Sequence, residues 1–316
     1  MPGHRTCQFC GARKVTREHI WPNWLRNYLP RDAAYHGTAV GVVERVGRLA
    51  TIDPGEVRQQ TGDMLSRKLR IACARCNNGW MSRLQNEAKP LLVSLLGGDW
   101  PHLGATEQKA LASWAVMFTM VVELLDPRTN AHTFEDRQAF SLNQTPPHGW
   151  EIFIGHAREW PWHFWHYGWN LASLTKQMNV QATTFGVDEL LVYTYSFGKN
   201  GAQLASPFPP KFIANAFGVR QIWPIVDDPV LQPTSGYIPH DEIIGLSAVH
   251  AMFFGGYVNW GPGRSGVFAP WYEHQQMLFI PFNRLTTSLS TIWDIVTRPL
   301  RWWRRLVWKI RRIRRE

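Results

Sequence analysis

Lys68-Leu69-Arg70-Ile71-Ala72-Cys73-Ala74-Arg75-Cys76-Asn77 reads as an extended strand that runs into a Cys-x-x-Cys turn and out into a helix. The helix is expected from Asn77 to about Lys89, with Trp80, Leu84 and Ala88 four apart on one face, and Pro90 is expected to end or kink it. A second Cys-x-x-Cys lies upstream at Cys7-Gln8-Phe9-Cys10, followed by Gly11, which supplies the backbone freedom of a tight turn. After it, Arg13 to Ile20 is a short extended segment that stops at Trp21-Pro22, because the residue before proline avoids helix. These pairs use all four cysteines of the chain. Two such knuckles can close a tetrahedral four-thiolate zinc site on Cys7, Cys10, Cys73 and Cys76.

Glu18-His19 and Asn77 sit beside these knuckles. A carboxylate, an imidazole and a carboxamide held on a metal-tied knot suit hydrolysis of a phosphodiester. That reaction needs an activated water, a stabilised phosphorane and a neutralised leaving oxygen. His19 can accept a proton near neutral pH. Glu18, its neighbour on an extended strand, points to the other side and is better suited to holding metal. A hard ion such as Mg²⁺ takes one or two protein oxygens and keeps its waters, so Glu18 and the Asn77 carboxamide suffice.

Cys-x-x-Cys, Glu18-His19-x-x-Pro22 and Cys-x-x-Cys-Asn77 opening a helix together resemble the HNH endonuclease superfamily, the ββα-metal or His-Me finger nucleases, in its four-cysteine zinc-bound subgroup. The resemblance covers about residues 5–95. It implies His19 as general base, Glu18 and Asn77 as ligands of the catalytic ion, and the four cysteines as structural. The chain departs from the family pattern where Asp is often found in place of Glu18, Asn in place of Lys68, and His or Lys in place of Trp80, the last pointing to a one-metal site. Arg13, Lys14, Arg17, Lys68, Arg70 and Arg83 add positive charge suited to backbone contacts, and Lys68, Arg70 and Arg83 are the candidate nucleic-acid contacts. The expected partner is DNA, with RNA left open. The competing readings are a non-catalytic zinc-stabilised nucleic-acid-binding protein and a membrane-surface effector.

At 316 residues and 45% hydrophobic, the chain can bury a sizeable core. The fold class expected is α+β: a zinc-bound ββα module over residues 1–100, an α+β domain over 101–290, and a basic amphipathic C-terminal helix over 291–316. No apolar run opens the chain, which predicts reduced cysteines and a cytoplasmic location. Ala110 to Leu125 is apolar but shorter than the roughly 20 residues of a membrane span and carries Ser113, Thr119 and Glu123, so a buried core helix beginning near Thr106 is expected. Glu151–Ile154, Val180–Phe185, Leu190–Phe197 and Phe212–Phe217 alternate as strands of an antiparallel sheet, and 246–282 reads as irregular with short strands. Arg31 to Arg67 reads as a hairpin or irregular insertion. The aromatic run from Trp160 to Trp169 reads as sheet packing, which keeps His163 and His166 out of the site. Of the net charge of +10, residues 298–316 hold nine Arg/Lys against one Glu, a balance of +8. That tail suits an anionic membrane surface, nucleic-acid phosphates or the body of the protein.

Overall fold

The computed structural model describes residues 6–28, 35–46, 49–53, 58–61, 67–169, 179–197, 219–227, 256–259, 265–271 and 276–281. Residues 291–316 and the strand expected at Phe212–Phe217 lie outside the described residues. The protein is α+β and divides into two compact units, Met1–Glu44 with Ile52–Ala251, and Arg45–Thr51 with Met252–Glu316.

In the first unit, β1 (Val15–His19) pairs antiparallel with β5 (Lys68–Cys73), from Val15 opposite Cys73 to His19 opposite Lys68. A register shift between Thr16 and Arg17 interrupts the ladder. From β5 the chain enters a short helix, α1 (Ala74–Cys76), then a π-type turn (Asn77–Met81), then α2 (Ser82–Leu96). The expected face is buried at Trp80, Leu84 and Ala88. Pro90 does not end this helix, which runs on to Leu96. Pro90 is exposed, as are Asn86 and Glu87 on the turn it clashes with, so the lost hydrogen bond falls on the wet side. Leu92, Leu95 and Leu96 are buried beyond it, and that burial offsets the local penalty of about 3 kcal/mol.

The apolar stretch forms α3 (Ala105–Glu123), buried without a break from Leu111 to Glu123. Its N-cap is Gly104 rather than Thr106, and Gly104 makes no side-chain cap. No helix among the described residues is long and apolar enough to cross a membrane. The expected antiparallel sheet is present with longer strands: β6 (Trp150–Trp169) pairs with β7 (Val180–Phe197), and β8 (Arg220–Trp223) pairs with β6. The Arg31–Arg67 region supplies β2 (Tyr35–Val46), β3 (Leu49–Asp53) and β4 (Arg58–Thr61). β4 lies antiparallel on β2, while β2 joins β6 in parallel, from Gly37 opposite His163 to Val43 opposite Trp169. Alternation cannot reveal that pairing, since it marks a strand and not its neighbour. The second unit contains β9 (Gly256–Asn259), β10 (Ser265–Trp271) and β11 (Gln276–Pro281), an antiparallel meander.

The knot and α3 share one core. Trp21, immediately after the Glu18-His19 strand, lies 4.7 Å from the ring of Phe118 on α3 and 6.2 Å from Phe185 on β7. Below this core runs a buried polar chain. The ring nitrogen Nδ1 of His166 donates to the Thr183 hydroxyl (2.7 Å), which donates to Gln181 Oε1 (2.6 Å). Gln181 Nε2 donates to Ser196 Oγ (2.9 Å), and Ser196 Oγ lies 3.1 Å from His132 Nε2. His132 Nδ1 meets the Glu123 carboxylate at 3.0 Å, and the Ala131 amide donates to the same carboxylate at 3.2 Å. Polar groups this deep are tolerated because each of these side chains makes at least one hydrogen bond.

Candidate metal and catalytic site

The four cysteine sulfurs lie within 4.8 Å of one another, an arrangement that can hold a metal ion such as zinc. The first knuckle closes through Cys7 N–H to Ala12 O (2.8 Å) and Gly11 N–H to Cys7 O (2.9 Å), with Gly11 at φ +74°. Gln8 N–H to Ile71 O (2.8 Å) docks this knuckle on β5. All four cysteines are free of disulfides. Burial pushes the Cys7 thiol up, while backbone amides of Cys73, Phe9 and Cys10 pull against it. At Cys10 burial again acts upward, but the Ala12 amide and the neighbouring sulfurs outweigh it and bring the thiol down to about 7. Burial raises Cys76, opposed by the Trp80 indole. Backbone N–H groups close to sulfur are the donors a metal-bound thiolate needs.

Glu18 and Asn77 both face the helix side of the hairpin. Glu18 is 5% exposed and bonds to Gln85 on α2. Burial pushes its carboxyl up to about 7, against the opposing pull of that bond and of Lys68. Burying this carboxylate carries a charge cost, and oxygen donors of its kind are the ones a hard divalent ion takes. Asn77, the first residue after Cys76, donates Nδ2 to Thr16 Oγ1 at 3.3 Å, and Thr16 in turn donates to Ala72 O at 3.0 Å. That bond takes the nitrogen and leaves the carboxamide oxygen, the atom a hard cation prefers, for coordination. His19 alternates to the other face of β1, half-buried, with Lys68 as its cross-strand neighbour. The structure thus brings Glu18 and Asn77 to one side and places His19 at the strand end on the other. Arg17 and Arg70, both exposed, stand directly opposite each other on that outer face.

Sequence reading missed Gln85 and Thr16. Gln85 is a polar residue on a helix whose neighbouring positions Met81, Leu84, Ala88 and Leu92 are buried, and that break in the apolar face was the available signal. Comparison with protein-family models, characterised protein sequences and solved structures finds no match for this chain.

Proposed function

We propose that this protein is a divalent-metal-dependent nuclease that hydrolyses the phosphodiester backbone of nucleic acid, DNA being the favoured substrate. The observation that carries the reading is Glu18, a carboxylate buried at a cost against Gln85 of α2, the helix that follows the Asn77–Met81 turn, on a hairpin tied by four cysteines. Zinc on Cys7, Cys10, Cys73 and Cys76 is structural in this reading. Glu18 and Asn77 would hold the catalytic ion, such as Mg²⁺, whose charge when bound stabilises the developing negative charge of the reaction.

His19 takes the proton of the attacking water as general base. As the last residue of β1 it meets solvent where the ladder ends. Its neighbours supply the phosphate grip. Like charges directly opposite on a sheet are destabilising, so the Arg17–Arg70 pair is retained at a cost that a polyanion would offset. Lys68 lies beside the imidazole, and Arg83 extends the positive surface along α2.

The test is plasmid cleavage by zinc-loaded protein with and without Mg²⁺. His19→Ala should lower the rate by about 10²–10⁴-fold with zinc content unchanged. Asn77→Ala should raise the Mg²⁺ concentration needed for half-maximal rate. Wild-type cleavage by the His19 variant, in a preparation cleared of contaminating nuclease, would overturn the mechanism. Binding of DNA without any metal-dependent cleavage would leave the protein a zinc-stabilised binder.

A further inference from the structure

A groove of about 440 Å³ runs between the knuckles and helix α4 (Phe134–Asn143). One wall carries Arg75 and Arg83, and the facing wall carries Gln138, Ser141, Leu142 and Gln144, with Phe9 and Trp80 forming part of its floor. We infer that this groove is a second nucleic-acid subsite, which seats the strand flanking the scissile bond through phosphates on Arg75 and Arg83 and base edges on Gln138 and Gln144. The inference rests on the nuclease reading and extends its phosphate grip from Arg83 into a groove that Cys10 and Cys76 also line.

Four observations support it. Both arginines are exposed, and among the described residues neither has a carboxylate partner. Planar guanidinium forks match phosphate oxygens two at a time, while carboxamides offer a donor and an acceptor side by side, the pattern that base edges present. Gln144 holds a left-handed backbone (φ 52°, ψ 29°) at the C-cap of α4, where glycine is the usual residue. Keeping a side chain there costs about 1–2 kcal/mol, and that side chain lines the groove. Leu142, 76% exposed on the same wall, offers an apolar surface to a base face.

The groove is held rigid from both sides. Arg137 donates Nε to Gln8 O (3.3 Å), the Ser141 hydroxyl is shared between Phe9 O (3.3 Å) and Gln138 O (2.8 Å), and Trp80 packs edge-on to Phe9 at 5.2 Å and Phe140 at 5.7 Å. Asn77 does not line it, being turned to Thr16. The groove therefore begins within two residues of the candidate catalytic helix start without being the cleavage site.

The experiment measures binding of labelled duplex DNA to the full zinc-loaded chain by fluorescence anisotropy across a salt series, without Mg²⁺, beside a cleavage assay with it. R75Q/R83Q should weaken binding and reduce the slope of log K against log salt by about 1.8, two phosphate contacts at roughly 0.9 each. Q138A/Q144A should weaken binding with the slope unchanged. An unaltered affinity and slope in R75Q/R83Q, with melting temperature and zinc content as in the wild type, overturns the subsite; if that wild type cleaves DNA, the nuclease reading survives. An arginine-dependent slope with no metal-dependent cleavage supports the subsite and removes the nuclease reading. A poly-glutamate chain that competes as well as DNA of equal charge and loses affinity equally in R75Q/R83Q assigns the groove to an acidic polypeptide and overturns the proposal.

Discussion

On the proposed reading, Glu18 is the residue at which stability and chemistry pull apart. Its folded pKa, about 7, lies above the ordinary carboxylate range, so the charged form is disfavoured by folding and the fold loses stability as pH rises from about 4.5 toward 7. Glu18→Gln removes the buried charge and keeps a partner for Gln85. At pH 8, in zinc-loaded protein without Mg²⁺, the variant should therefore be more stable than the wild type by about 1–3 kcal/mol, read by urea unfolding. Mg²⁺ should raise the stability of the wild type and leave the variant unmoved. A variant less stable than the wild type in the absence of Mg²⁺ would show that the carboxylate is already satisfied by protein groups. The cysteines, Glu18 and Asn77 were legible as residue types at short spacings. Gln85 and Thr16 were not, because their roles depend on where a helix and a strand meet.

At the scale of elements, the buried polar chain fixes how β6 and β7 sit on α3. Burial drives His166 down to about 4, with Glu123 raising it, His132 lowering it and Asp126 raising it. For Glu123, burial acts upward, and His132, His166 and Arg137 bring it below its ordinary value. Both folded values lie below their unfolded ones. The His166 contribution is thus complete above about pH 6.5 and lost as pH falls toward 4, and the Glu123 contribution follows as pH falls below about 4.5. His166→Gln should flatten the loss of stability between pH 6.5 and 4, measured by melting temperature across that range. An unchanged pH profile would mean that His166 does not carry the acid sensitivity. The network escaped sequence reading because its members come from five separate stretches, although Glu123 inside an apolar helix was its one visible sign. Helix α4 also escaped, though Thr133 and Asp136 form a capping box, with Thr133 N–H to Asp136 at 2.8 Å and Asp136 N–H to Thr133 Oγ1 at 3.2 Å. The strand β6 was readable at Glu151–Ile154, but its extension through the aromatic run was readable only as packing.

For the first unit as a whole, the shared core means that the four-cysteine knot is not an appendage. Trp21, Phe118 and Phe185 belong to one apolar cluster that also contains Cys7, Cys73 and Cys76. Chelation of the metal, or Cys73→Ser, should accordingly lower the melting temperature of α3 and the β6–β7 sheet together with the knot, seen as one shifted calorimetric peak. Two peaks, with only the smaller moving, would show the knot to unfold by itself. The sulfurs of Cys10 and Cys73, 3.5 Å apart, are also 63 residues apart in sequence. A cross-link closing a loop of that size withdraws about 4 kcal/mol of chain entropy from the unfolded state. Because loop-closure entropy grows only logarithmically, doubling the enclosed length would change this by about 0.6 kcal/mol. The ring between the knuckles, which sends β2 out to pair with β6, is therefore a place where the chain can lengthen or shorten over generations while the clasp that closes it holds almost unchanged.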